Sequence, residues 1–156
     1  LRANATAHQR FGLQIKCHGV DTPTYIETDA NRIIQVLTNL MSNAAKFSKP
    51  GGTVEISVDK TPENVCVSVR DEGMGIAPED QHKIFQRFAD MANSDRATKG
   101  GTGLGLSICK AIVEGLGGTI DFVSKEGRGT TFTFTLPVKT RHSGPENDFE
   151  RLENVG

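Results

Sequence analysis

What this 156-residue sequence lacks excludes several classes of protein at once. Its three cysteines, Cys17, Cys66 and Cys109, are odd in number and far apart, with no CxxC pair and no histidine cluster beside them. That pattern indicates neither a disulfide framework nor a zinc site, and a reducing, cytoplasmic setting fits it best. No apolar run approaches the length of a membrane span, and the opening "LRANATAHQR" is not a signal peptide. A chain starting on Leu1 rather than Met reads as a fragment, and a membrane-anchored parent is compatible with it. An excess of one charge is missing too. The formal net charge of -1 provides no basic field for nucleic acid or for direct membrane contact, so a charged ligand must be met by local groups.

What is present describes one soluble globular domain. With 36% apolar and 24% charged residues, the composition and length suit a single core rather than two. "FGLQIKC" and "PTYIET" read as short strands. "DANRIIQVLTNLMSNAAKFSKPGG" then combines a helix-starting acid, Asp29, with apolar residues at helical spacing and a "PGG" stop. Val54, Ile56 and Val58, then Val65, Val67 and Val69, alternate with polar neighbours around the turn "KTPEN", and the second of these strands ends on Asp71. "PEDQHKIFQRF" predicts a short helix, with Pro78 near its start. "ADMANSDRATKGGTG" has no period and reads as a mobile loop. "LGLSICKAIVEGLGG" predicts a helix whose core face carries Leu104, Ile108, Ala111 and Ile112. "TIDFVS" and "TTFTFTLPV" form a last strand pair, with Phe132, Phe134 and Leu136 on one face. There is no internal repeat. The order of elements predicts an α+β two-layer sandwich with helices on one face of a mixed sheet. Residues 1–10 are assigned to a preceding segment or linker, 11–138 to the domain, and 139–156 to a polar tail or linker.

Three stretches carry groups suited to chemistry, each with a plainer reading beside it. On the long helix, a step of about 100° per residue brings Asn39, Asn43 and Lys46 within about 60° of arc. A solvated face would explain such a stripe, but asparagine is a poor mid-helix residue. An amide oxygen suits a hard cation such as magnesium, and lysine supplies a point charge for phosphate. "GGTGLGLSICK" leads glycines into a helix, whose first N–H groups could face an anion. It could equally be a hinge; it is no P-loop, and no strand precedes it as a dinucleotide fingerprint requires. In "VRDEGMGIAPED", Asp71 could cap a turn. Alternatively it accepts a hydrogen bond from the exocyclic amine of adenine, with Gly73 and Gly75 letting a flat ring approach the backbone.

Taken in order, these stretches resemble the catalytic, ATP-binding domain of sensor histidine kinases, within the GHKL group shared by gyrase, heat-shock chaperones and mismatch-repair ATPases. "NLMSNAAKFS" is similar to the asparagine box, "DEGMGI" to the first glycine box, "IFQRF" to the phenylalanine box and "GGTGLGL" to the second glycine box. "GRGTTFTFTLP" is similar to the closing strand, and the likeness runs from about Phe11 to Val138. It implies a Bergerat-type fold and the cofactors ATP and Mg2+. By that resemblance Asn43 ligates magnesium, Asn39 and Lys46 contact phosphates, and Asp71 takes the adenine amine beside Gly73, Gly75 and Ile76. Gly101, Thr102, Gly103, Leu104, Gly105 and Leu106 correspond to the nucleotide-binding glycine box, the stretch between Phe88 and Gly103 to an ATP lid, and Thr130 to a threonine that helps hold the base. Phe85 and Phe88 would anchor the lid to the core.

The sequence departs from the family where a basic residue commonly follows the phenylalanine box: it has Ala89 and Asp90, leaving Arg96 or Lys99 to supply that charge. None of His8, His18, His82 and His142 lies in an "HExRTP"-like phosphoacceptor motif. The resemblance implies donation of the γ-phosphoryl group to a histidine, here on a separate dimerisation domain of the parent, and onward transfer to a response regulator receiver domain in two-component signalling. The alternatives are a GHKL ATPase that uses lid movement, or a non-catalytic ATP-binding regulatory module.

Overall fold

The computed structural model describes residues 12–19, 25–86 and 105–138. Among them, β1 (Gln14–His18), α1 (Ala30–Phe47), β2 (Thr53–Lys60), β3 (Asn64–Asp71), α2 (Pro78–Gln81), α3 (Gly105–Gly115), β4 (Thr119–Lys125) and β5 (Gly129–Pro137) follow in that order. They build one five-stranded sheet in the order β1-β2-β3-β5-β4. Its β1–β2 pair is parallel and the others antiparallel, so the sheet is mixed, as expected. The parallel pair needs a crossover, and α1 supplies it.

α1 begins where Asp29 accepts hydrogen bonds from the N–H groups of Asn31 (3.1 Å) and Arg32 (3.3 Å), two donors that the first turn leaves without helical partners. It stops at Ser48, whose backbone is extended, ahead of Lys49 and Pro50; proline disfavours helical geometry in the residue before it. Val36, Leu40, Met41, Ala44 and Ala45 are buried along its inner face. The β2–β3 turn is held by Thr61, whose N–H donates to the Asn64 carbonyl at 2.8 Å while its hydroxyl accepts the Asn64 N–H at 3.0 Å.

α1 and α3 pack on one sheet face, which carries Val54, Ile56, Val65, Val67, Val69, Phe132, Phe134 and Leu136. The opposite face is polar: Ser68 and Thr133 share a 2.9 Å hydrogen bond, and Arg70 meets Glu55 at 3.7 Å. One dry and one wet face is the usual arrangement for a largely antiparallel sheet.

Three expectations are corrected. Tyr25–Thr28, the described part of "PTYIET", is not a strand, and Tyr25 is 87% exposed, so burial gives it no reason to join the sheet. The helix begun by Pro78 ends at Gln81, and the chain continues through turns to Phe85. α3 is also rotated from the expected face. Cys109 and Val113 are fully buried, Ile112 is half-buried, and Ile108 and Ala111 are exposed; Leu104 lies outside the described residues. The compact thiol of Cys109 fits against the α1 backbone, 3.9 Å from the Val36 carbonyl oxygen, where a branched isoleucine would hold the helices apart.

Candidate nucleotide-binding site

Three apolar stripes on neighbouring strands end on one polar row. Side chains two apart share a sheet face, so Val65, Val67 and Val69 on β3 lead to Asp71. Phe134 and Phe132 on β5 lead to Thr130, and Ile120 and Phe122 on β4 lead to Ser124. The register places Asp71 opposite Thr130 and Thr130 opposite Ser124. Asp71 is only 7% exposed and Thr130 5%. A buried carboxylate needs hydrogen bonds, and Asp71 Oδ1 accepts the Gly73 N–H at 2.9 Å. The turn cap considered from sequence is therefore real. It does not exhaust the group, because a carboxylate can accept several hydrogen bonds.

The glycine loop after Asp71 is clamped from two sides. On one, the Met74 N–H donates to the Phe47 carbonyl at the end of α1 (3.3 Å); on the other, the Gly127 N–H donates to the Met74 carbonyl (2.7 Å). A Cβ on Gly73 would lie 2.2 Å from the Phe47 oxygen. Gly75 has φ +68°, and a Cβ there would lie 2.1 Å from the Lys125 oxygen. Both glycines are needed for the backbone to approach so closely. Ile76 is buried, and its N–H donates to Ser124 Oγ at 2.8 Å. Gln81 Nε2 donates to the Ile76 carbonyl at 3.1 Å and lies 3.4 Å from the Ser124 carbonyl. Neither Ser124 nor Gln81 was singled out from the sequence. For Ser124 the signal was there, since the alternation of "TIDFVS" continues the stripe of Ile120 and Phe122 onto it.

Asn39, Asn43 and Lys46 are all half-buried on α1. Asn39 Nδ2 donates to the Gly105 carbonyl at 3.5 Å, a long contact that joins this helix to the first residue of α3. Gly105 and Leu106 are half-buried in that first turn; Gly101, Thr102, Gly103 and Leu104 lie outside the described residues. Burial pushes the Cys109 thiol above its ordinary value, and a hydrogen bond with Asn39 partly offsets this. The side chain of Phe85 meets Phe122 and Phe132 edge-on at 5.7 and 6.3 Å, with Lys110 Nζ 5.4 Å from its ring centre. Phe85 thus packs against the core, while the stretch it was expected to anchor lies outside the described residues. Phe88, Ala89, Asp90, Arg96 and Lys99 lie outside the described residues.

Among the described residues, no three His, Cys, Asp or Glu side chains gather into a metal-binding group. The half-buried amide of Asn43 matches a magnesium ion that uses one protein oxygen and completes its shell with phosphates and water, the way this ion commonly binds beside nucleotides. No helix among the described residues is long and apolar enough to cross a membrane.

The mixed sheet under its helix layer, with Asp71 and Thr130 buried beside a clamped glycine loop, is a two-layer α+β domain. The chain belongs to the histidine kinase-, DNA gyrase B- and HSP90-like ATPase family, whose model matches residues 28–140. It is 47% identical over 121 residues to the sensor histidine kinase WalK of Bacillus subtilis, covering 76% of this chain and 20% of that protein. It is 45% identical over 109 residues to the sensor protein SrrB of Staphylococcus aureus, covering 70% of this chain and 19% of that one. The chain thus spans about a fifth of the length of these curated relatives. Among solved structures, the catalytic domain of the histidine kinase ThkA superposes with a TM-score of 0.73 at 32% identity, over 86% of this chain and 84% of that one. The mycobacterial sensor histidine kinase MprB gives 0.71 at 28% identity, over 85% and 89%. The fold and family expected from the sequence are those found, and ATP binding follows from the family.

Proposed function

We propose that this domain binds Mg-ATP and, within its parent protein, donates the γ-phosphoryl group to a histidine on a separate dimerisation domain, from which a response regulator receiver domain takes it. The observation that carries the reading is the row of Asp71 and Thr130, two buried polar side chains ending apolar stripes beside a glycine loop. Asp71 accepts the adenine amine, Thr130 assists it, and Gly73, Gly75 and Ile76 form the wall against the base. Asn39 and Lys46 meet the phosphates from α1, together with Gly101, Thr102, Gly103, Leu104, Gly105 and Leu106 ahead of and within the start of α3. Asn43 is the protein ligand to magnesium, which when bound neutralises phosphate charge. The residues of this chain then work by alignment and charge complementarity, with no covalent intermediate on the domain. The names of the relatives, sensor histidine kinase WalK and sensor protein SrrB, support a catalytic domain within a sensor parent, and we place it in the cytoplasm of a parent that can be membrane-anchored.

The deciding experiment mixes the domain with γ-labelled ATP, magnesium and histidine-bearing helical hairpins. Label on histidine supports the kinase reading. Label released as free phosphate identifies an ATPase, and ATP bound but unconsumed identifies a binding module; either result would displace the proposal.

A further inference from the structure

The geometry points to Ser124 as a positioning residue that fixes Thr130 as a hydrogen-bond acceptor, so that the pocket selects a purine carrying an amino group at position 6. The inference rests on the adenine reading of Asp71 and Thr130 given above.

The argument turns on one proton. Ser124 Oγ makes three short contacts: with the Ile76 N–H at 2.8 Å, with the Gly129 carbonyl oxygen at 3.1 Å and with Thr130 Oγ1 at 2.8 Å. A hydroxyl has one hydrogen to donate and two lone pairs to accept with. The backbone N–H of Ile76 can only donate, and the carbonyl of Gly129 can only accept. If Ser124 gave its proton to Thr130, its oxygen would face the Gly129 oxygen with no hydrogen between them. All three contacts are attractive in one arrangement: Ser124 donates to Gly129, accepts from Ile76 and accepts from Thr130. The Thr130 proton is thereby directed at Ser124, and the remaining lone pairs of Thr130 are its only hydrogen-bonding capacity toward the ligand. Asp71, its register partner, is also an acceptor. Two acceptors side by side match an amino group, directly or through a water that donates to them. They mismatch a carbonyl, and an unmatched buried acceptor is costly.

Ser124 also secures the loop. Its hydroxyl holds the Ile76 N–H while Gln81 holds the Ile76 carbonyl, so one residue of β4 sets both the wall and the polarity of the floor. A purely structural role would affect the first alone.

The test compares binding of ATP and inosine triphosphate by calorimetry, since the two differ in an amino group against a carbonyl at position 6. In Ser124→Ala, the Thr130 hydroxyl is released to turn and donate. The preference for ATP is expected to fall about threefold to tenfold, with the fold intact by circular dichroism. Ser124→Thr keeps the hydroxyl and is expected to keep the preference. In a Thr130→Val background, adding Ser124→Ala should change the preference no further, because Ser124 acts through Thr130. An unchanged preference in folded Ser124→Ala overturns the inference. If that variant does not fold, Thr130→Val decides, and an unchanged preference there overturns it equally. A wild-type domain that binds ATP without preferring it to inosine triphosphate would instead defeat the adenine reading itself.

Discussion

The backbone N–H of Met74 donates to the carbonyl oxygen of Phe47 at 3.3 Å, tying the glycine loop after β3 to the last turn of α1. The same helix reaches Gly105 through Asn39, so the two ends of the proposed nucleotide site share one rigid element. Between Asn39 and Phe47 the helix rises about 12 Å, a distance suited to an extended nucleotide.

Gly73→Ala tests that tie. The added Cβ would lie 2.2 Å from the Phe47 oxygen and 2.8 Å from Asp71 Oδ1, so loop and helix must separate. We expect a loss of about 1–3 kcal/mol in stability, read as a lower melting temperature, together with at least about tenfold weaker ATP binding. A variant with wild-type melting and affinity would show that the contact is dispensable.

Asp71→Asn separates the two roles of the carboxylate. An asparagine oxygen can still accept the Gly73 N–H, so the turn and the fold are expected to survive. The pocket, however, exchanges an acceptor for a donor, and ATP affinity is expected to drop about 10- to 100-fold, the range for a lost hydrogen bond to a charged group. Unchanged affinity by calorimetry would confine Asp71 to capping.

Asn43→Ala addresses the metal. Binding of ATP with magnesium is expected to weaken more than binding in excess chelator, because only the first uses the amide oxygen. Equal losses in the two conditions would remove Asn43 from the metal site.

The cysteines should separate by reactivity. Cys17 is exposed, whereas burial raises the thiols of Cys109 and Cys66, the second also under the charge of Asp59. Alkylation followed by mass spectrometry should label Cys17 first and Cys109 last, unless the domain is unfolded. The raised Cys109 value also fixes a pH dependence. Above the ordinary thiol value of 9.0 the unfolded chain loses this proton while the folded one keeps it. The associated stability is thus complete below that pH and is lost as the pH rises toward the folded-state value. Urea titrations of wild type and Cys109→Ala from neutral to alkaline pH should show a smaller alkaline decline in the variant.

Much of this was legible because local signals agreed. The cap at Asp29, the alternation through Val69 and the "PGG" stop each have a short-range cause, and each element stands where its cause placed it. The face of α3 was not legible, because it depends on how closely Cys109 can approach the α1 backbone, a contact between residues distant in sequence. "PTYIET" has strand-forming residues but no partner in the sheet among the described residues, and propensity without pairing makes no strand. In the site, the boxes marked Asp71 and Asn43, whereas Ser124 and Gln81 act through hydrogen bonds to Ile76 that only the tertiary structure brings about.

The polar row also has a kinetic meaning. Ile76 and Ser124 are 48 residues apart, and Asp71 meets Thr130 only through the central β3–β5 pairing. Such non-local pairings are slow to form because the intervening chain must first be closed. The row of Asp71, Thr130 and Ser124, the proposed adenine floor, therefore does not exist in any partly folded chain that still lacks β4 and β5. During synthesis, nucleotide occupancy would arrive late and all at once, making bound ATP a reporter of completed folding.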